Sequence, residues 1–323
     1  MTFNDVYDEW LAQKKLMVKE STVSIYRQRW DVRLKAYFGD MVIEDMRSRH
    51  FQKYVNERLS EGKLGRKTIE DDVIVVRNIL NFAQLQYDLP TYIIKVIYPT
   101  EDETEESGYK KSFTPEEAKK LLNAIIAEVN FISVGYMLAL CCGLRIGEIC
   151  GLQFGDIDIV NQRINVRRTV QRVYVFPEDR QVVEGKKTLH TKCHVGTPKS
   201  KSSRRSVPLP DFLFKWLKNA SKLFPSDYYI VTARGVPGTT PSDPRTLRNN
   251  YDRFLEKHGF SKVVFHGLRH TFASLMITSG ADVKTTSKLL GHSDATTTLN
   301  VYSHTSPSVE TSAARKAIAK IMK

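Results

Sequence analysis

One stretch of this 323-residue chain departs from the apolar spacing of the rest, and that departure limits the fold. Over most of the sequence, apolar residues recur every three or four positions, which is the period of an α-helix. Between residues 157 and 209 the pattern alternates instead and is rich in β-branched residues, with a turn at Asn161-Gln162. One alternating stretch inside a helical chain predicts a mainly α fold that carries a small antiparallel sheet.

Residues 1–98 have the pattern of a small helical bundle. Their apolar residues keep the helical period, and short polar segments with helix-stop residues separate them. Three helices are predicted: one capped by Ser21 or Thr22 and ending at Gly39, one from Ser48 to near Gly62, and one starting near Thr68. Short connections between helices favour antiparallel neighbours, so this part of the chain should fold as a bundle.

A polar, acidic stretch separates this bundle from the rest of the chain. Residues 99–112 begin with Pro99, contain EDETEE and lack apolar periodicity, so they are interpreted as an interdomain linker. The second domain opens with Thr114-Pro115-Glu116-Glu117, a capping box with proline at the first helical position. Helices are predicted over 115–128 and 131–142, and Gly143 should end the second. From Asp211 the helical period returns and predicts helices to the end.

The charge of the chain suggests a polyanionic partner. Lys and Arg exceed Asp and Glu by 13, and the excess lies after residue 112. DNA, RNA and an acidic membrane surface all fit that balance, as does a protein that is merely basic. The longest apolar run, 131–144, is too short to span a bilayer, and the N-terminus lacks the pattern of a signal peptide. With four cysteines mostly in apolar sequence, the chain is expected to be cytosolic with reduced thiols.

Common catalytic signatures are missing from the sequence. It has no dinucleotide or P-loop glycine motif, no HExxH and no GxSxG. The histidines at 190 and 194 have no second pair of ligands at zinc spacing. Three segments remain: 143–152 (GLRIGEICGL), 265–274 (FHGLRHTFAS) and 289–304 (LLGHSDATTTLNVYSH).

Each segment has a functional and an ordinary interpretation. Arg145 lies in apolar sequence and must find an anionic partner, which could be a ligand or simply Glu148. His266 and Arg269 are three residues apart, so on a helix they offer imidazole and guanidinium groups to one oxyanion. The alternative is a capping histidine beside a surface arginine. Tyr302 alone would be an ordinary aromatic residue.

Taken together, and in this order, these motifs resemble those of tyrosine recombinases of the phage and conjugative-transposon integrase type. That family has an arginine in a G-L-R-x-x-E box, a lysine on a β-hairpin, an H-x-x-R box, a G-H box and a tyrosine about ten residues beyond. The resemblance spans the whole chain and implies the DNA breaking-rejoining fold. The implied domains are a helical, SAM-like core-binding domain at 1–98, the acidic linker at 99–112, a mainly helical catalytic domain at 113–303 with a β-insertion at about 171–198, and a tail helix at 304–323.

The resemblance also implies roles for individual residues. Arg145 and Arg269 would bind the scissile phosphate, and Tyr302 would be the nucleophile. The remaining implied roles are general base or phosphate ligand for His266, hydrogen-bond donor to the phosphate for His292, orientation of Arg145 and a histidine for Glu148, and protonation of the leaving 5′ oxygen for Lys199. Lys201 is the rival to Lys199, because both lie in the T-P-K-S-K-S hairpin segment.

The implied activity is site-specific recombination through a 3′-phosphotyrosine and a Holliday junction, integrating and excising a mobile element. It requires no cofactor or metal. The implied partners are double-stranded DNA attachment sites and three further copies of the chain in a tetramer on DNA. An excision factor and a DNA-bending protein are possible additional partners, and no membrane is involved. The implied location is the bacterial cytosol or nucleoid. The tail helix would dock on a neighbouring protomer or pack on its own domain.

Three questions stay open at this point. A chromosome-dimer resolvase of the Xer type, or an invertase, would use the same chemistry. A DNA-binding protein without catalysis is an alternative of a different class. The chain starts about where a core-binding domain should begin, so an additional N-terminal arm-binding domain is either absent from this protein or outside this sequence.

Overall fold

In the computed structural model, the described residues are 1–90, 93–99, 112–176, 191–198, 201–232 and 235–291. The chain divides into two compact units. The first comprises Met1–Thr104 and Val173–Lys192, and the second comprises Glu105–Arg172 and Cys193–Lys323. Helices dominate the described residues, and a small antiparallel sheet accompanies them. The predicted fold class, mainly α with a small antiparallel sheet, is therefore confirmed.

The described part of the first unit is a bundle of helices around an aromatic core. Trp10, Trp30 and Tyr54 are fully buried there, and Tyr7 stacks on Trp30 with ring centroids 4.3 Å apart. A π-helical turn, Trp30–Leu34, joins α2 to α3. The α-helices are α1 (Phe3–Met17), α2 (Glu20–Arg29), α3 (Lys35–Phe38), α4 (Ser48–Ser60) and α5 (Arg66–Gln86).

The start of α2 corrects a predicted cap. Neither Ser21 nor Thr22 precedes the helix, because the Lys19 carbonyl already accepts hydrogen bonds from the amides of Thr22 and Val23. The helix therefore begins at Glu20, with Lys19 in the capping position. Its apolar face continues through the π-helical turn, and the helical segment ends at the predicted stop, Gly39.

A buried carboxylate fixes the π-helical turn to α5. Asp72 is fully buried and accepts hydrogen bonds from Arg29 Nη1 at 2.6 Å, Arg33 Nε at 2.7 Å and the Tyr54 hydroxyl at 3.0 Å. Burial alone would raise the pKa of Asp72, but these hydrogen bonds hold it below its usual value. The charged network thus connects both ends of the turn to one point on α5.

The described part of the second unit combines helices with short strands. The capping box predicted at Thr114 is present, with Thr114 accepting from Glu117 N–H and the Glu117 side chain accepting from Thr114 N–H. The helices are α6 (Pro115–Ala127), α7 (Ser133–Cys142), α8 (Ile146–Cys150), α9 (Asp211–Ala220), α10 (Pro244–Lys257), α11 (Phe265–Thr278) and α12 (Val283–Leu290). The strands of this unit are β1 (Ile157–Asp158), β2 (Arg163–Val166) and β5 (Arg205–Pro208). Two further strands, β3 (Thr169–Tyr174) and β4 (Thr191–Gly196), each cross a boundary between the two units along the chain.

The sheet forms where the alternating pattern predicted it. Strands β1, β2 and β5 lie in that order and pair antiparallel, with Ile164 opposite Val207. The predicted turn at Asn161-Gln162 is present, and Gln162 adopts a left-handed backbone with φ of 53°. Strands β3 and β4 form a separate pair.

The prediction of continuous helices after Asp211 is wrong over residues 221–243. There the described residues form turns and isolated bridges, and Tyr229 pairs with both Gln153 and Gly238. Pro225 and Pro237 explain the break, because proline lacks the amide hydrogen that a helix interior needs. Helix α10 then starts with Pro244 in its first turn, where a proline is well tolerated.

Helix α7 forms the centre of the second unit and positions the site. It is buried along nearly its whole length and packs against α6, α8 and α11, so most of the apolar run 131–144 belongs to the core. No helix within the described residues has the length and apolar character needed to cross a bilayer. The predicted linker, the centre of the β-insertion and the tail lie mostly or wholly outside the described residues, and the predicted domain boundaries stay predictions.

Candidate active site

The C-terminal end of α7 places Arg145 at the centre of the second unit. Gly143 ends the helix in a left-handed conformation with φ of 65°. A Cβ at this position would lie 2.4 Å from Phe272 Cδ1 and 2.9 Å from Leu290 Cδ2. Glycine is therefore required here both by backbone conformation and by the close approach of α11 and α12. Two residues later, Arg145 occupies the position just before α8.

Glu148 holds Arg145 by a short local contact. Its carboxylate accepts the Arg145 backbone N–H at 2.9 Å through Oε2 and the Arg145 Nη1 at 3.0 Å through Oε1. This is the geometry of a residue three positions into a helix reaching back to the cap. The R-x-x-E spacing thus gives a local contact between the two residues. The Arg145 side chain remains 35% exposed.

Helix α11 carries His266 and Arg269, as the sequence predicted. Arg269 is 3% exposed, and its guanidinium donates to the Gly143 carbonyl at 2.6 Å and to the Leu290 carbonyl at 2.7 Å. The Leu290 carbonyl also accepts from Arg145 Nη1 at 3.4 Å, and the Gly291 carbonyl accepts from Arg145 Nη2 at 3.3 Å. The two arginines therefore meet at the C-terminal end of α12.

The location of this meeting point has an electrostatic reason. The last carbonyls of a helix have no partner inside the helix and carry partial negative charge. Guanidinium groups are planar, carry several donors and stay charged, so each can bind a carbonyl with one edge and an anion with another. Gly291, which ends α12 with φ of 67°, leads directly to His292.

A third arginine, Arg205 on β5, completes the described site. It is buried beside Glu148, with Nη1 to Oε1 at 3.0 Å and Nη2 to Oε2 at 2.9 Å, and its Nε donates to the Leu289 carbonyl at 2.5 Å. Burial would raise the pKa of Glu148, but hydrogen bonds from Arg205 and the charges of Arg205 and Arg145 lower it. The carboxylate is therefore ionised at neutral pH.

Sequence reasoning missed Arg205. One signal was present: Val207 is a buried position of β5, and a residue two positions earlier in a strand points to the same face. An arginine directed into a core needs a carboxylate, and Glu148 was the candidate.

His266 is exposed on α11, close to the arginines. The pKa of His266 is lowered to about 4. The main cause is desolvation by neighbouring groups, and the positive charges of His270, Arg269 and Arg145 add to it. Its ring lies 4.8 Å from that of His270, nearly perpendicular to it. At neutral pH the imidazole is neutral and is able to accept a proton.

Other predicted site residues cannot be placed. Lys199, His292 and Tyr302 lie outside the described residues, as does the side chain of Lys201. The structure brings Arg145, Glu148, His266 and Arg269 to one place in the second unit, and their roles remain predictions.

Comparison with known proteins identifies the class. The family model described as "Phage integrase family" matches residues 111–308, and the "Phage integrase, N-terminal SAM-like domain" matches residues 2–59. The chain belongs to the phage integrase family. It is a tyrosine recombinase, an enzyme of DNA recombination.

Two curated relatives show which recombinases it is similar to. It is 29% identical to a XerC-like tyrosine recombinase of Caldanaerobacter subterraneus subsp. tengcongensis, over 97% of this chain and 82% of that protein. It is also 29% identical to the ICEBs1 integrase of Bacillus subtilis, over 64% of this chain and 54% of that protein.

Solved structures show the same fold at low sequence identity. The Tn1549 transposon integrase in complex with a circular intermediate DNA superposes with a TM-score of 0.73 at 18% identity, covering 98% of this chain and 99% of that chain. A lambda integrase tetramer bound to a Holliday junction gives a TM-score of 0.64 at 16% identity, covering 93% of this chain and 77% of that chain.

Proposed function

We propose that this recombinase cuts and rejoins DNA through a 3′-phosphotyrosine on Tyr302, and that it integrates and excises a mobile genetic element. The observation that supports this proposal is the convergence of Arg145 and Arg269 on the last carbonyls of α12. That point directly precedes the segment carrying His292 and Tyr302. Cations that stabilise the charge developing on the phosphate oxygens are what an attack on a phosphodiester requires.

The two arginines bind the non-bridging oxygens of the scissile phosphate. Arg269 is held by short hydrogen bonds to carbonyl oxygens and is buried, so it offers a preorganised donor. Arg145 is partly exposed and is held by Glu148, which leaves it accessible to DNA. Donors fixed in advance stabilise the charge that develops on the phosphorus oxygens without reorganising during the reaction.

Proton transfer accompanies the exchange of esters. Tyr302 Oη bonds to phosphorus as the bond from phosphorus to O5′ breaks. His266, neutral at pH 7, takes the phenol proton, and Lys199 gives a proton to the departing O5′. His292 donates a hydrogen bond to the phosphate. A 5′ hydroxyl from the partner strand then reverses the step, so each ester is replaced by another and no ATP is consumed.

The assembly follows from this chemistry. Four copies on two DNA attachment sites would exchange strands in pairs through a Holliday junction, with the tail at 304–323 joining neighbouring copies. An excision factor and a DNA-bending protein would set the direction. The similarity to a lambda integrase solved as a tetramer on a Holliday junction supports this arrangement. The enzyme would act in the bacterial cytosol, at the nucleoid.

Chromosome-dimer resolution is the second candidate, since the relative matched over 97% of this chain is named XerC-like. The similarity to integrases of ICEBs1 and Tn1549 favours the mobile element. Both candidates use the same site, so only the DNA substrate separates them. The deciding experiment compares two recombination rates. One is measured on the joined ends of a circularised element, and the other on two identical chromosomal sites.

The experiment is covalent trapping. Randomised duplexes with a central nick make cleavage irreversible, and the protein is incubated with them without metal or ATP. We expect a denaturant-resistant protein–DNA adduct that is lost in Tyr302→Phe, and sequencing the trapped DNA identifies the core site. An adduct that survives Tyr302→Phe contradicts the proposal. Tight binding with no adduct, even on the selected site presented as an inverted pair, favours a DNA-binding protein without catalysis.

A further inference from the structure

Arg205 is a buried arginine of the site that the sequence did not single out. Its side chain is 5% exposed and uses all three guanidinium nitrogens. Two of them bind the two oxygens of Glu148, and the third binds the Leu289 carbonyl in the last turn of α12. Nη1 also donates to the Ser203 carbonyl at 3.2 Å, which ties the site to the residues just before β5.

The carboxylate of Glu148 is shared between two arginines. Oε1 accepts from Arg145 Nη1 and Arg205 Nη1, both at 3.0 Å, and Oε2 accepts from Arg145 N–H and Arg205 Nη2, both at 2.9 Å. A carboxylate has room for about four such bonds. With Arg205 in place, its orientation is fully determined, and so is the edge of Arg145 that faces it.

Arg205 also packs closely against Gly291, the residue that precedes His292. A Cβ on Gly291 would lie 2.9 Å from Arg205 Nη1 and 3.0 Å from its Cδ. The same side chain thus sets the path of the chain as it leaves α12 and the orientation of the carboxylate that holds Arg145. Arg145 also contacts both Glu148 and the end of α12, but its bonds to the Leu290 and Gly291 carbonyls are longer, at 3.4 and 3.3 Å.

We propose that Arg205 is a positioning residue for the recombination reaction, acting through Glu148 on Arg145 and through the end of α12 on His292. This inference rests on the proposed function. Arg205 does not reach the phosphate, because its three nitrogens are already bound within the protein. A planar fork is needed to make these contacts at once, so a lysine with the same charge does not replace it.

The test compares Arg205→Met and Arg205→Lys with a matched control. Arg168→Met is the control, because Arg168 binds the buried Asp156 at 2.5 Å in the same unit but makes none of the contacts above. For each variant, the single-turnover rate of adduct formation is measured on a saturating nicked duplex, along with the DNA dissociation constant and the folded fraction.

We expect both Arg205 variants to lower the rate per folded molecule by about 100-fold, the scale of a misplacement of about 1 Å at a reacting centre. The dissociation constant should change by less than about 3-fold, since most affinity comes from contacts to other phosphates. Arg168→Met should keep the rate of the parent. A double variant, Arg205→Met with Glu148→Met, removes both buried charges and should recover stability but not rate.

Three results would overturn the inference. They are a normal rate in Arg205→Lys, an equal loss in Arg168→Met, and a recovered rate in the double variant. In each case Arg205 would contribute only charge or fold stability. These outcomes are distinct from failure of the proposed function, which shows as an adduct that persists in Tyr302→Phe.

Discussion

Gly143 offers the most direct test of how tightly the site is packed. The Gly143→Ala variant meets two separate penalties. A left-handed backbone at φ of 65° costs a residue with a Cβ about 1–2 kcal/mol. The new methyl also overlaps Phe272 Cδ1 at 2.4 Å and Leu290 Cδ2 at 2.9 Å, and overpacking of this kind costs about 1–3 kcal/mol. We therefore expect Gly143→Ala to destabilise the second unit by about 2–5 kcal/mol.

Gly259 provides the matched control, because it has nearly the same backbone without the neighbours. Its φ is 67°, and a Cβ there meets nothing within 4 Å. Gly259→Ala should cost only the backbone penalty, about 1–2 kcal/mol. The difference between the two variants isolates the contact of α7 with α11 and α12.

Hydrogen exchange of the α7 and α11 amides measures this difference without requiring the two units to unfold together. Adduct formation by the folded fraction should also fall in Gly143→Ala but not in Gly259→Ala, since Leu290 supplies the carbonyl that both arginines bind. Equal destabilisation by the two alanines would refute the packing argument. If the two variants form adduct at equal rates, the packing around Gly143 does not affect the geometry of the arginines.

Three further outcomes are expected. The pKa of His266 is lowered to about 4 in the folded protein, whereas in the unfolded chain the imidazole has its usual pKa near 6.5. Between these two pH values the unfolded chain therefore binds a proton at His266 that the folded protein does not bind. Stability should therefore fall as pH drops from 6.5 towards 4, and His266→Gln should flatten that fall in urea titrations. Asp72→Asn leaves Arg29 and Arg33 facing a neutral amide and should cost the first unit about 3–5 kcal/mol, read by exchange of α5 amides; a loss below 1 kcal/mol would contradict the buried network. DNA affinity should fall steeply and log-linearly with salt in filter binding, because phosphate contacts release counterions; a flat response would contradict binding through the phosphates.

The sequence revealed those parts of the site that depend on local geometry. Arg145 and Glu148 are three residues apart, and the capping contact between them follows from that spacing alone. Gly143 was recognisable as a helix stop, and His266 with Arg269 as neighbours on one helix. In each case the partners lie within one or two helical turns, where sequence spacing fixes distance.

The remaining parts depend on tertiary contacts that carry no local signal. Arg205 meets Glu148 across 57 residues, a separation at which sequence spacing does not fix the distance between two side chains. The carbonyls at the end of α12 that bring Arg145 and Arg269 together are backbone atoms, which any sequence would supply. The π-helical turn Trp30–Leu34 was also missed, because its two buried residues, Trp30 and Leu34, are four positions apart, a spacing that an α-helix gives as well.

Arg145 and Arg269, the two proposed phosphate ligands, differ in how much of the fold depends on them. Arg269→Gln removes a buried donor from the Gly143 and Leu290 carbonyls. The Leu290 carbonyl then keeps only the 3.4 Å bond from Arg145, and a buried acceptor left unpaired costs about 1–3 kcal/mol. Arg145 is 35% exposed, its carbonyl contacts are 3.3 and 3.4 Å long, and Glu148 retains Arg205 without it. Arg145→Gln should therefore cost no more than about 1 kcal/mol. Thermal unfolding of the two variants checks the ranking, and the reverse order would contradict it. If the ranking holds, lost adduct in Arg145→Gln reports phosphate binding directly, whereas in Arg269→Gln it must first be corrected for unfolding.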